Sequence, residues 1–334
     1  MSIAATNAGC RSEDKIVRRS HPPLKLERTP SEPAACRFTD LTRQELHVES
    51  DTPGISLFMF RMSAFGKSKG AVVLLHGAGS PASALWDLQP SDYSVMRRLA
   101  CEGYDTYTVD VRGFGGSTIP PALLAAAEGA PPAVRAADVM PDVQAALRYA
   151  RKQSGVDRVD LVGWSWGCVV AGMAAGRFAD QIRRLILFAP VYDRKWPSRH
   201  KTEGAWRSEN RQLYFDYFDP AREERAVLEA HVDALFRFVG PDELVKLPNG
   251  PYRDLYGPDA PVWSAEQVRA PTLIIRGEKD PASKMEAAYR LFQALKQAPV
   301  RRYVEIGDAG HFAFRTHQYR RLQAAIANFL TEKL

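Results

Sequence analysis

The chain has 334 residues, 45% of them hydrophobic and 25% charged, enough to bury one large α/β core and too apolar for a chain disordered throughout. Lys and Arg outnumber Asp and Glu by 45 to 39, a formal charge of +6, yet basic residues never run more than two together, so no nucleic-acid partner is expected. Four cysteines (Cys10, Cys36, Cys101 and Cys168) form no C-x-x-C pair and no metal spacing and are too few to staple a chain this long, so a reduced, cytoplasmic compartment is expected.

Residues 1–45 are polar, carry Pro22, Pro23, Pro30 and Pro33, and show no sustained period; they are expected to be an extension without a core of its own. No apolar run precedes a small-residue cleavage box there, so no secretory leader is expected. The alternating run at 55–62 predicts an early antiparallel strand, and the apolar run at 71–77, ending in His-Gly, a buried one. A helix over 91–102, a strand over 105–110 and a helix over 136–153 follow. Next come a strand over 158–163, a helix from about Ser165 and a strand over 184–190. The rhythm is lost over 191–268 and returns with a strand at 271–280, a helix at 283–297, a strand from 301 and a last helix at 316–332. Strand runs alternating with helical segments predict an α/β fold with a mainly parallel sheet. Residues 46–190 and 269–334 would form the core, with 191–268 as an insertion. The charge-free run 161–176 is too short and too rich in glycine to span a bilayer, so no membrane partner is expected.

That run opens with Gly163-Trp164-Ser165-Trp166-Gly167, a G-x-S-x-G pattern falling where a strand gives way to a helix. A serine raised on such a turn is a candidate nucleophile. It needs a base within hydrogen-bond reach, and the base needs an orienting carboxylate. Asp280 ends one apolar strand segment and His311 follows the next, in the order that this layout requires. Asp193, just beyond the strand at 184–190, is the rival acid, with Glu278 and Asp308 weaker ones. Charge developing on an acyl oxygen calls for two N–H donors. Trp166 N–H, next after the nucleophile, is one candidate, and Ala78 N–H, in the loop His76-Gly77-Ala78-Gly79, is the other, with His76 holding the loop.

With these residues assembled the chain resembles the α/β-hydrolase superfamily, in the branch with a lid inserted after the sixth strand. The resemblance rests on "LLHGAGS", "DVRGFGGS", "GWSWG", "IRGEKD" and "GDAGHF". It implies helices on both sheet faces, a helical cap over 191–268, and a structural turn at residues 110–115 rigidified by glycines and an arginine ion pair. A serine nucleophile separates the chain from relatives with aspartate at that position. Ester or lactone hydrolysis through an acyl-enzyme on Ser165 is the expected reaction, without metal or organic cofactor, on a medium-sized, uncharged, apolar or aromatic substrate. Carbon–carbon cleavage beside a ketone, and a non-catalytic receptor, are the alternatives. Trp164, Gly77, Trp196, Trp206 and Tyr214 are the candidate substrate contacts, and Phe215, Tyr217, Phe218, Phe236 and Trp263 would add to an aromatic ceiling. Oligomeric state is open.

Overall fold

The computed structural model describes residues 36–193, 203–216, 218–239 and 244–334. Ten strands occur among them: β1 (Arg43–Glu49), β2 (Ser56–Met62), β3 (Gly70–Leu75), β4 (Tyr104–Val109), β5 (Val159–Trp164), β6 (Ile182–Phe188), β7 (Trp206–Glu209), β8 (Val245–Pro248), β9 (Thr272–Gly277) and β10 (Arg301–Ile306). The helices among them are α1 (Ala82–Leu85), α2 (Val95–Cys101), α3 (Pro121–Leu124), α4 (Met140–Ser154), α5 (Trp166–Arg177), α6 (Arg211–Phe215), α7 (Arg225–Leu235), α8 (Gly250–Tyr256), α9 (Met285–Ala294) and α10 (Tyr319–Thr331).

Eight strands form one sheet in the order β1-β2-β4-β3-β5-β6-β9-β10. β2 runs antiparallel to both β1 and β4, and every pairing from β4 to β10 is parallel. Because successive side chains point to opposite faces, each central strand feeds two cores. Val73, Leu75, Leu161, Leu185, Leu187 and Ile274 pack with α4, α5 and α9, whereas Val72, Leu74, Val162, Ile186, Phe188, Leu273 and Ile275 pack with α2 and α10. Covered on both faces, these strands read as continuous apolar runs, which is why they are conspicuous in the sequence. α4 shows the helical counterpart: Val143, Ala146, Leu147 and Ala150 are buried at three- and four-residue spacing, and Gly155 ends the helix with φ 63°.

Three expectations need correction. The extension does not reach residue 45, because β1 begins at Arg43, and the carbonyls of Phe38 and Leu41 accept hydrogen bonds from Arg97 of α2 at 2.6 and 3.2 Å. Two cysteines are not free: Cys36 and Cys101 form a disulfide with 5.5 Å between their Cα atoms, which removes the ground for expecting a reducing, cytoplasmic compartment. The segment between β6 and β9 is not purely helical, since β7 and β8 pair antiparallel there, too briefly for a strand pattern to stand out. Its C-terminal part belongs to the main core: Leu247, Tyr252, Leu255 and Trp263 pack with α5. None of the helices among the described residues is long and apolar enough to cross a membrane.

Candidate active site

Ser165 sits on the turn from β5 into α5 with φ 55° and ψ −117°, a conformation that costs a residue with a Cβ about 1–3 kcal/mol. Its neighbours allow the turn to be that tight. A Cβ on Gly163 would lie 2.2 Å from the carbonyl oxygen of Gly167, and a Cβ on Gly167 would lie 2.6 Å from that of His76. Main-chain bonds hold the turn from both sides: Ser165 N–H donates to Phe188 O at 3.0 Å, and Cys168 N–H donates to Ser165 O at 2.9 Å.

The loops after β9 and β10 bring two more side chains to this turn. His311 Nε2 lies 3.0 Å from Ser165 Oγ, and its Nδ1 lies 2.8 Å from Asp280 Oδ2. An ionised carboxylate only accepts, so Nδ1 carries the proton and Nε2 accepts from the serine hydroxyl. Asp280 Oδ1 is occupied by the N–H groups of Ala282 and Ser283, each at 2.8 Å. Burial alone would raise this carboxyl; the charge and hydrogen bond of His311 and the two N–H groups outweigh it and hold the pKa below 3.8. Asp193 instead pairs with Arg290 of α9, and Glu278 and Asp308 meet each other at a turn, Asp308 N–H donating to Glu278 Oε2 at 2.8 Å.

The loop after β3 passes beside the turn. His76 is buried, donates from Nδ1 to Gly77 O at 2.8 Å and accepts at Nε2 from Val111 N–H at 3.3 Å. Burial pushes its pKa down to about 4 against the opposing bond to Gly77, so both ring nitrogens are committed to the neutral form. Gly77 is required by close approach, because a Cβ there would stand 2.8 Å from the Trp164 ring. The turn at residues 110–115 is tied down by Asp110, which accepts from Ser83 N–H at 2.9 Å and Ser83 Oγ–H at 2.7 Å, and by the Arg112–Asp142 ion pair at 2.6 Å.

The tryptophans flanking Ser165 have partners inside the protein. Trp164 lies beside the loop that carries His311, donating from Nε1 to His311 O at 2.9 Å with its ring 5.3 Å from the imidazole. Trp166 donates from Nε1 to Asp254 Oδ2 of α8 at 3.0 Å. Of the other candidate contacts, Trp206 donates from Nε1 to Ala125 O at 2.9 Å, under the ammonium of Lys246. The Tyr214 hydroxyl lies 2.7 Å from Glu209 Oε2 and 3.1 Å from Gly79 O. Trp196 and Tyr217 lie outside the described residues. Phe236 packs with Leu228, Val232 and Leu235 of α7, with Phe215 and Phe218 against the same cluster, and Trp263 fills the space above Gly172. Phe215, Phe218 and Phe236 build a core around α7, as an amphipathic helix requires, instead of a ceiling, and Trp263 belongs to the main core. Nothing in the sequence marks part-buried Arg207 or buried Asp254, which chain folding brings to Ala78 O and the Trp166 indole. Among the described residues no cluster of His, Cys, Asp and Glu could hold a metal.

The profile of the alpha/beta hydrolase family matches residues 72–324. The chain belongs to this family. Solved structures of the same fold include an enol-lactonase from Burkholderia xenovorans LB400, at 19% identity and TM-score 0.57, the alignment covering 86% of this chain and 100% of that one. A thermophilic esterase from Thermogutta terrifontis matches at 18% identity and TM-score 0.57, over 86% and 98% of the two chains. Epoxide Hydrolase A from Mycobacterium thermoresistibile matches at 18% and 0.59, again over 86% and 98%. No curated protein matches the chain in sequence. At these identities the likeness is one of fold, and family membership makes a hydrolase acting on a small molecule the coarse reading.

Proposed function

We propose that the protein is a serine hydrolase that cleaves a carboxylic ester or lactone of a medium-sized, uncharged substrate through an acyl-enzyme on Ser165. The observation that carries this reading is the relay Ser165 Oγ, His311 Nε2 and Asp280 Oδ2 at 3.0 and 2.8 Å, with the serine on a strained turn. In this mechanism His311 Nε2 takes the hydroxyl proton as Ser165 Oγ bonds to the acyl carbon, and then returns it to the leaving oxygen as the ester bond breaks. Water then attacks the acyl-enzyme, with the same imidazole as base, and frees the acid and Ser165. Asp280 keeps the proton on Nδ1 and stabilises the imidazolium. The oxyanion is held by the N–H groups of Trp166 and Ala78.

Serine at position 165 favours ester chemistry over the epoxide opening that one structural neighbour's name reports, because an acyl-enzyme needs a hydroxyl nucleophile and an oxyanion site. The enol-lactonase and the esterase are consistent with it. The test is labelling by a fluorophosphonate probe with mapping of the adduct. Wild-type protein is expected to be labelled at Ser165, Ser165→Ala not at all, and His311→Ala only slowly. Labelling that survives Ser165→Ala would refute the assignment. A panel of p-nitrophenyl esters and aromatic lactones then ranks substrates.

A further inference from the structure

We infer that the segment between β6 and β9 acts as a clamp on the oxyanion loop, with Arg207 as its principal positioning residue. This rests on the serine-hydrolase reading and adds to it a role for residues remote in sequence.

In a trans peptide the N–H points opposite to the C=O of the same plane. The carbonyl of Gly77 accepts from His76 Nδ1 at 2.8 Å, which turns the Ala78 N–H the other way. The carbonyl of Ala78 accepts from Arg207 Nη2 at 3.2 Å, which fixes the following plane. With the planes on both sides of its Cα held, Ala78 has neither dihedral free, and its N–H keeps one direction. A hydrogen-bond donor for a developing oxyanion is effective only if it is already aimed before the reaction begins.

Arg207 is itself immobilised. Its Nε donates to Glu209 Oε1 at 2.6 Å, its Nη1 to Pro248 O at 2.9 Å, and its guanidinium lies 4.0 Å over the Tyr252 ring. Glu209 is in turn the 2.7 Å acceptor of Tyr214, whose hydroxyl also lies 3.1 Å from Gly79 O, the next carbonyl of the loop. One residue further on, Ser80 Oγ is 2.9 Å from His231 Nε2 of α7. His231 Nδ1 accepts from Arg315 Nη1 at 3.2 Å, so Nε2 carries the ring hydrogen and donates to Ser80. Arg315 follows His311 by four positions and pairs with buried Glu223 at 3.2 Å. The same segment thus grips the loop on both sides of Gly79, at Ala78 and Ser80, and through His231 reaches Arg315 beyond the histidine loop.

The test compares Arg207→Gln, Arg207→Lys and Tyr214→Phe with wild type in p-nitrophenyl butyrate turnover and fluorophosphonate labelling. It adds inhibition by an alkyl trifluoromethyl ketone, whose hemiketal oxyanion occupies the same donors, and thermal melting. Arg207→Gln is expected to lower kcat about 10–100-fold with KM within about twofold, and to weaken the ketone in proportion to kcat. Arg207→Lys, which keeps the positive charge and most of the reach that the shorter, neutral Gln amide loses, is expected to recover part of kcat, and Tyr214→Phe, lacking one oxygen, to lose about threefold. A melting change without a proportional change in ketone affinity, or Arg207→Gln and Tyr214→Phe both matching wild type, would overturn the clamp while leaving the hydrolase reading intact. If Arg207→Gln does not fold, Tyr214→Phe decides alone. A wild-type protein that neither labels nor turns over ester removes the hydrolase reading, and the clamp with it.

Discussion

At the turn from β5 to α5, the residues that shape the backbone are close neighbours of Ser165: Gly163 and Gly167 stand two positions away, and Cys168 N–H closes the first turn of the helix on the serine carbonyl. Between β6 and β9 the partners are distant. Arg207 holds the carbonyl of Ala78 across 129 positions, and Asp254 holds the indole of Trp166 across 88. A nucleophile turn is a local steric solution and can be written in five residues. Aiming a neighbouring loop is a tertiary solution, and the residues that achieve it carry no pattern of their own.

The sharpest way to break this comparison is at the acid. Asp280→Asn is expected to lower kcat by about 10⁴-fold, the scale seen when a triad acid loses control of the tautomer, whereas Asp193→Asn should stay within about threefold, since it weakens only a part-buried pair with Arg290 that does not touch His311. The reverse order in an ester assay would reassign the acid. Next in size, Gly77→Ala drives a methyl group to 2.8 Å from the Trp164 ring, on which the His311 carbonyl rests. Activity should fall about 10–100-fold and stability by about 1–3 kcal/mol. Wild-type kcat in this variant would show that the loop and the elbow are not in working contact.

Acid stability sharpens the picture of a loop held by a neutral histidine. His76 has a folded pKa of about 4, below the unfolded 6.5, so between those values the unfolded chain binds the extra proton and stability is lost as pH falls. The slope is at most about 1.4 kcal/mol per pH unit, about 3 kcal/mol over the window. Asp110, raised to about 6 by burial, works in the opposite sense between 3.8 and 6, but it is present in both proteins compared. In His76→Gln the loss from position 76 is absent, so the stability gap to wild type should narrow from pH 6.5 to 4 in denaturant titrations; a constant gap would mean that folding does not lower the pKa of His76. The smallest effect is expected from the disulfide. Replacing Cys36 and Cys101 by serine frees residues near the chain's N-terminal side and should cost about 2 kcal/mol, read from the shift in denaturant midpoint.

What was legible in the sequence follows the same division. Buried parallel strands advertise themselves as apolar runs, and Ser165 and Asp280 each follow one, whereas His311 follows the edge strand β10, of which only Ile306 is buried; strand order and candidate site could still be read together. β1 was missed because an edge strand buries little: only Leu46 and Val48 of "RQELHVE" pack against the core. The disulfide was missed because its cysteines are 65 positions apart with no spacing rule to link them. The aromatics of the middle segment were legible as apolar, but not in their direction. Whether Phe236 faces a substrate or its own helix neighbours is decided by packing that no local pattern encodes.

Mass spectrometry of the protein quenched during turnover of a p-nitrophenyl ester addresses the central claim most directly. A population heavier by one acyl group, the group mapping to Ser165, is expected to accumulate in wild type and to be absent from Ser165→Ala. Ester turnover with the acyl group on any other residue, or undiminished turnover by Ser165→Ala, would contradict that claim.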